Sequence, residues 1–113
     1  MSSPTAHGAT EALVVLTTFA RPEEAEVAAH KLVEQKLAAC CTILPSATSV
    51  YRWSGSIERQ TETVVLIKTT NSCFQQMQKE LSSWHPYAVP ELIALPVTAG
   101  NPTYLKWLAD SLT

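Results

Sequence analysis

An α+β domain of the ferredoxin-like type, a βαββαβ core with one further C-terminal helix, is the fold that the sequence predicts. Three observations predict it. β-rich and helical patterns alternate in the order β, α, β, β, α, β, α from residue 11 to residue 113. Ser54-Gly55-Ser56 joins the two middle strands through a turn, so they read as one long hairpin of an antiparallel sheet. Pro22, Asn71 and Asn101-Pro102 are start signals placed ahead of the three helical patterns.

Glu11 to Phe19 (EALVVLTTF) has the apolar centre of an interior strand covered on both faces. Pro22 then opens a helix expected to run to about Leu37. Glu23 and Glu24 in its first turn suit the positive end of the helix dipole. Ala25, Ala28, Ala29, Leu32 and Val33 form its apolar stripe, leaving Glu26, His30 and Glu34 wet. Ala39 to Trp53 is β-like, with Pro45 marking an edge, a bulge or a bend. Ile57 to Thr70 follows and ends in an apolar run. Asn71 or Ser72 caps a second helix whose Phe74, Met77, Leu81 and Trp84 share a face, and Pro86 ends it after His85. Glu91 to Thr98 is a last strand in which Pro96 again implies an edge or a bulge. Tyr104, Leu105, Leu108 and Leu112 then lie on a short closing helix.

Right-handed crossovers place both long helices on one face of the sheet, leaving the other without cover. A strand from Cys40 to Trp53 spans roughly 40–45 Å, while a domain of this size has a radius of gyration near 13 Å. The hairpin must therefore bend or overhang. Overhanging strand edges with apolar side chains call for pairing with another subunit, so self-association follows from geometry.

The 113 residues fit a single domain, residues 11–113, behind a tail at residues 1–10 expected to be disordered. With 46% hydrophobic and 16% charged residues, the composition is globular and rather apolar. Its net charge of -2 comes with no cluster of Lys or Arg among aromatics, which excludes a nucleic-acid surface. No apolar run approaches the roughly 20 residues of a membrane helix, and no signal peptide is legible at the N-terminus. Three cysteines, Cys40, Cys41 and Cys73, are poor material for a secreted disulfide framework and fit a reducing cytoplasm.

Several phrases, in order, carry a family resemblance. They are LAACC running into YRWSG (Leu37 to Gly55), Glu62 through Lys68 and Thr69, HPYAVPE (His85 to Glu91) and YLKW (Tyr104 to Trp107). This pattern resembles the CutA family over residues 12 to 112. The resemblance implies a homotrimer similar to the PII signalling proteins, with neighbouring sheets joined edge to edge. It also implies a role in tolerance of copper and other divalent cations. In some members of that family copper is assigned to a cysteine on the first strand and two adjacent histidines before Pro-Tyr. Thr17 stands at the cysteine position here and Trp84 at the first histidine.

His85 is the leading candidate metal ligand, with Glu91 as an assistant. Its alternative role is structural, at the end of the helix. A lone imidazole cannot make a selective soft-metal site, so copper binding is expected to be weak. Cys40 and Cys41, adjacent on a strand, point to opposite faces and cannot chelate one ion together. Nor is there the CxxC that a copper chaperone of ferredoxin-like shape needs. Glu62, Lys68, Tyr87 and Glu91 are candidates to line a cleft between subunits, with ion pairing as the alternative. Trp53, Trp84 and Trp107 read as core or interface anchors rather than a stacking platform.

No catalytic constellation is evident: Asp110 is the one aspartate, and Gly8, Gly55 and Gly100 form no phosphate loop. The expected function is therefore non-enzymatic: a metal-tolerance trimer, or a small-molecule sensor with intersubunit clefts. An enzyme using His85 and Glu91 as acid and base ranks behind both.

Overall fold

The computed structural model describes residues 10–113, so the expected tail lies outside the described residues except at its last position. Thr10 is already engaged, its hydroxyl donating to the Val97 carbonyl. The elements are β1 (Ala12–Phe19), α1 (Pro22–Glu34), β2 (Cys40–Trp53), β3 (Ser56–Thr70), α2 (Asn71–Trp84), β4 (Ile93–Pro96) and α3 (Pro102–Asp110). The four strands form one antiparallel sheet in the order β2-β3-β1-β4. This is the predicted α+β, ferredoxin-like arrangement.

The register sorts side chains between two unlike faces. Leu13, Val15 and Phe19 of β1, with Val65 and Ile67 of β3, bury themselves under α1 and α2. Ala25, Ala28 and Leu32 from α1 and Met77 and Leu81 from α2 complete that core. Val33, assigned to the apolar stripe, instead faces outward, because the helix ends one residue later and only its alanine-rich side reaches the sheet. On the opposite face α3 covers one end, where Leu108 packs on Ala12 and Ala39. Beyond α3, Leu44, Ile93 and Leu95 remain about half exposed, so β1 is not roofed on both sides as its sequence suggests.

Three boundaries depart from sequence expectation. α1 stops at Glu34 rather than near Leu37, because Lys36 turns left-handed at φ 59°. That turn drops Leu37 and Ala38 onto the core and lets the Ala39 N–H donate to the Lys68 carbonyl at 2.8 Å. Neither Asn71 nor Ser72 caps α2: Thr70 holds the cap position, without a side-chain hydrogen bond. β4 has only four residues, not Glu91 to Thr98: it pairs with β1 between Leu16 and Leu13, the Thr18 carbonyl beyond its start is taken by the His85 side chain, and past Pro96 a single bond remains, from the Val97 N–H to the Ala12 carbonyl.

The hairpin behaves as its length requires. Ser54 and Gly55, with φ of 50° and 82°, form a two-residue turn between the paired Trp53 and Ser56, in the doubly left-handed form that strand twist favours. The register slips between Leu44 and Ala47, where Pro45 cannot donate to the ladder and Ser46 adopts φ 64°, so the expected interruption is a bulge on an edge strand. The radius of gyration is 15.4 Å and the long axis 52 Å, against about 13 Å for the radius of a compact chain of this length. The excess is overhang.

Met77 is wholly buried and Val33 is 44% exposed, which makes them a matched test of the core. Met77→Ala should cost about 2–5 kcal/mol in urea unfolding, and Val33→Ala no more than about 0.5 kcal/mol. Comparable losses at the two positions would place the core elsewhere.

Candidate functional site

Pro86, Tyr87 and Pro90 stiffen the loop that leaves α2, and this loop lies across the end of β1. His85 begins it as a structural pivot. Its Nε2 sits 2.7 Å from the Thr18 carbonyl, and the Tyr87 backbone N–H donates to its Nδ1 at 3.1 Å. Since Nδ1 accepts, Nε2 carries the proton and donates, which defines a neutral imidazole. The ring stacks on Phe19, with centroids 4.3 Å apart. Ala12 gives its carbonyl to Val97, so the even residues of β1 turn their backbone groups toward β4. Thr18 lies beyond the last β4 partner, and the His85 side chain supplies the donor that β4 no longer provides.

Burial lowers the His85 pKa below its usual 6.5, against the opposing pull of the Thr18 hydrogen bond and the Glu24 and Glu62 carboxylates. Both nitrogens are committed to backbone, so a metal could take His85 only by breaking one of these bonds. Thr17, at the position matching a family cysteine, is fully buried on the helix-covered side, with its Oγ1 unpartnered. Trp84 packs against the core, with the Lys31 ammonium 4.8 Å from its ring centroid. Among the described residues no three His, Cys, Asp or Glu side chains are grouped so as to hold a metal ion. These donors do not fit a resident copper site. Cys41 and Cys40 fall on opposite faces, as their adjacency requires, and burial followed by the neighbouring Cys40 pushes the Cys41 thiol up to about 12.

Glu62, Tyr87 and Glu91, three of the four expected cleft residues, do meet. They line a hollow of about 420 Å³ on the open side of the sheet, at the root of the overhang. The Tyr87 hydroxyl donates to Glu62 Oε2 at 2.7 Å, and Glu62 is 9% exposed. Burial first, then this carboxylate, pushes the Tyr87 pKa well above its ordinary value, so the phenol stays protonated and keeps donating. Lys68 is not part of the hollow. It lies on the same face six residues along β3, roughly 20 Å away, and its ammonium is bonded to Thr42 and lies 3.7 Å from Cys40 Sγ.

The residues that sequence reasoning missed are Tyr51 and Trp53, which wall the hollow together with Gln60 and Val89. Their signal was available: two aromatics two apart on a strand share a face. Trp53 is 53% exposed and belongs to no core cluster.

A family model described as the CutA1 divalent ion tolerance protein matches residues 13–111. A divalent-cation tolerance protein CutA from Citrobacter koseri is 48% identical over 102 residues, 90% of this chain and 89% of that one. The solved structure of a divalent cation tolerance protein (Cut A1) from Thermus thermophilus matches with a TM-score of 0.88 at 42% identity, covering 90% of this chain and 99% of that one. The structure of a periplasmic divalent cation tolerance protein CutA from Archaeoglobus fulgidus gives a TM-score of 0.87 at 33% identity, covering 90% and 99%.

The commitment of both His85 nitrogens generates a pH dependence whose sign is fixed. Because the folded pKa lies below 6.5, the unfolded chain takes the proton first. His85 should therefore contribute its full stabilisation above about pH 6.5, lose it as pH falls toward the folded value, and lose no more below that. Denaturant midpoints for the wild type and His85→Gln, compared between about pH 7 and pH 5, should converge on acidification. A gap that stays constant across that range would mean that the ring has the same proton affinity folded and unfolded, and a gap that widens on acidification that the ring is charged in the folded state.

Proposed function

The chain belongs to the CutA1 family of divalent ion tolerance proteins, and from that premise we propose that it serves divalent-cation tolerance as a cytoplasmic homotrimer. The observation that carries this reading is the open face of the sheet. Leu44, Ile93 and Leu95 stay half exposed there, beside two strand edges and an overhanging hairpin. Apolar surface of this kind with unpaired backbone at its borders is an interaction surface or a hazard. The exposed edges are β2 on one side and β4 on the other. Joining unlike edges is a heterologous contact, which ends only when a ring closes, and the resemblance to PII proteins favours three copies. The free cysteines favour a reducing compartment, although the Archaeoglobus relative carries a periplasmic description.

Copper or another divalent cation enters this reading as a weakly held ligand of the surface, reached through exposed carboxylates such as Glu91 and through His85 only at the expense of its backbone bonds. No catalytic step is assigned to the chain. A second reading, a sensor of small molecules, is favoured by one observation: the hollow formed by Tyr51, Trp53, Glu62 and Tyr87 on the open side of the sheet.

Light scattering after gel filtration should give three times the subunit mass at micromolar concentration. A folded monomer under those conditions refutes the assembly. Leu95→Glu, placing a charge on the open face, should shift the mass toward monomer while far-ultraviolet dichroism stays native.

For metal, competition against a Cu(I) chelator should give no affinity tighter than micromolar. The combined change Thr17→Cys and Trp84→His should raise it markedly, once folding of the variant is verified. Tight stoichiometric copper binding by the unmodified chain that survives His85→Ala would place a metal site elsewhere.

A further inference from the structure

We propose that the hollow between the hairpin and the loop after His85 binds a small organic cation, an amine or quaternary ammonium group. This deepens the ligand-cleft reading and rests on it. Three aromatic rings and two carboxylates converge there from separate elements: Tyr51 and Trp53 from β2, Glu62 from β3, and Tyr87 and Glu91 from the loop. No Lys or Arg is among its lining residues. A cation over aromatic faces is attracted by the ring quadrupoles, and flanking carboxylates complete the charge match. An anion would face the same two carboxylates with no Lys or Arg in the lining to offset them.

The carboxylate at the floor is built in rather than incidental. Glu62 is nine-tenths buried, and one of its oxygens is fixed by the Tyr87 hydroxyl at 2.7 Å. A buried charge demands compensation, and a single neutral donor compensates only part of it. Tyr87 is itself held by its backbone bond to His85, so the floor is rigid before a ligand arrives. Trp53 and Tyr51, 53% and 39% exposed, leave ring surface free on the outer wall.

The chemistry selects an organic cation over a metal ion. A hard divalent cation takes six or more oxygen ligands, whereas these walls are largely aromatic and aliphatic, with Val89 among them. The volume of about 420 Å³ falls in the range of small-molecule sites, about 300–1,000 Å³. Aromatic walls also shed water at little cost, which suits alkylated nitrogen better than a strongly hydrated ion.

The test uses the full-length protein and three probes of similar shape: choline, its neutral carbon isostere dimethylbutanol, and the anion pivalate. The readout is the indole N–H resonance of Trp53, assigned with Trp53→Phe. Choline should shift it saturably, the neutral isostere should bind at least about tenfold more weakly, and pivalate should leave it unmoved. Glu91→Gln and Glu62→Gln, each confirmed folded by an unchanged melting profile, should each weaken choline several-fold. If the isostere or pivalate binds as well as choline, the cation class is wrong while a ligand cleft stands. If no probe moves Trp53, the cleft reading falls with it. Choline binding indifferent to both Glu variants would also overturn the proposal.

Discussion

The β2–β3 hairpin is too long for the helices that cover its sheet, and the architecture follows from that mismatch. Strands of 14 and 15 residues span roughly 45–50 Å, whereas α1 and α2, of 13 and 14 residues, reach only about 20 Å. The core can therefore form only at the proximal half, where Ile43, Val65 and Ile67 lie under the helices. The distal half stands alone, and Val50, Trp53 and Ile57 remain exposed there. Isolated two-stranded ribbons are marginal in water. The ribbon is a stable element here because its first half is anchored in a four-stranded sheet, and its second half projects beyond the helices.

The bulge at Pro45 and Ser46 divides these two halves. Before it, Cys41 and Ile43 point into the core; after it, Tyr51 and Trp53 share the open face with Glu62. One extra residue changes which side chains of β2 lie opposite those of β3. The bulge thereby lets a continuous edge strand serve first as core wall and then as pocket wall, without a loop between the two roles. Removing it would restore a regular ladder and shift the distal side chains to the other face.

Much of this is legible in the chain because local chemistry and global fold agree. Element order, the hairpin turn, the edge-strand prolines and the alanine face of α1 all rest on short-range rules. What escapes depends on contacts distant in sequence. Lys36 ends α1 because Leu37 and Ala38 must reach the core, not because of any residue that signals a stop. β4 starts late because β1, at Thr18 beyond the Leu16–Ile93 pair, turns to a histidine for its hydrogen bond. Sequence reasoning groups Glu62, Tyr87 and Glu91, but it groups Lys68 with them, since the chain places it on the same strand and face without saying that six residues put it out of reach. The aromatic pair on β2 reads as packing because nothing local says that the hairpin outruns its cover.

The histidine shows how the same residue can be central without holding a metal. From the edge of β1 a line of hydrogen bonds runs from the Thr18 carbonyl to His85 Nε2, from Nδ1 to the Tyr87 amide, and from the Tyr87 hydroxyl to Glu62. Each link fixes the next, so a position on the sheet edge determines where a buried carboxylate sits in the hollow. Metal ligation would need one of those ring nitrogens, and among the described residues no further His, Cys, Asp or Glu side chains are grouped with it to share the metal. Thr17 offers a hydroxyl that is buried without a partner, at a cost of about 1–3 kcal/mol, where a thiol would need no such partner. Trp84 offers a ring to Lys31. With neither neighbour able to complete a soft coordination shell, the imidazole's contribution is mechanical: it closes the end of β1 and sets the geometry of the pocket on the other side of the sheet.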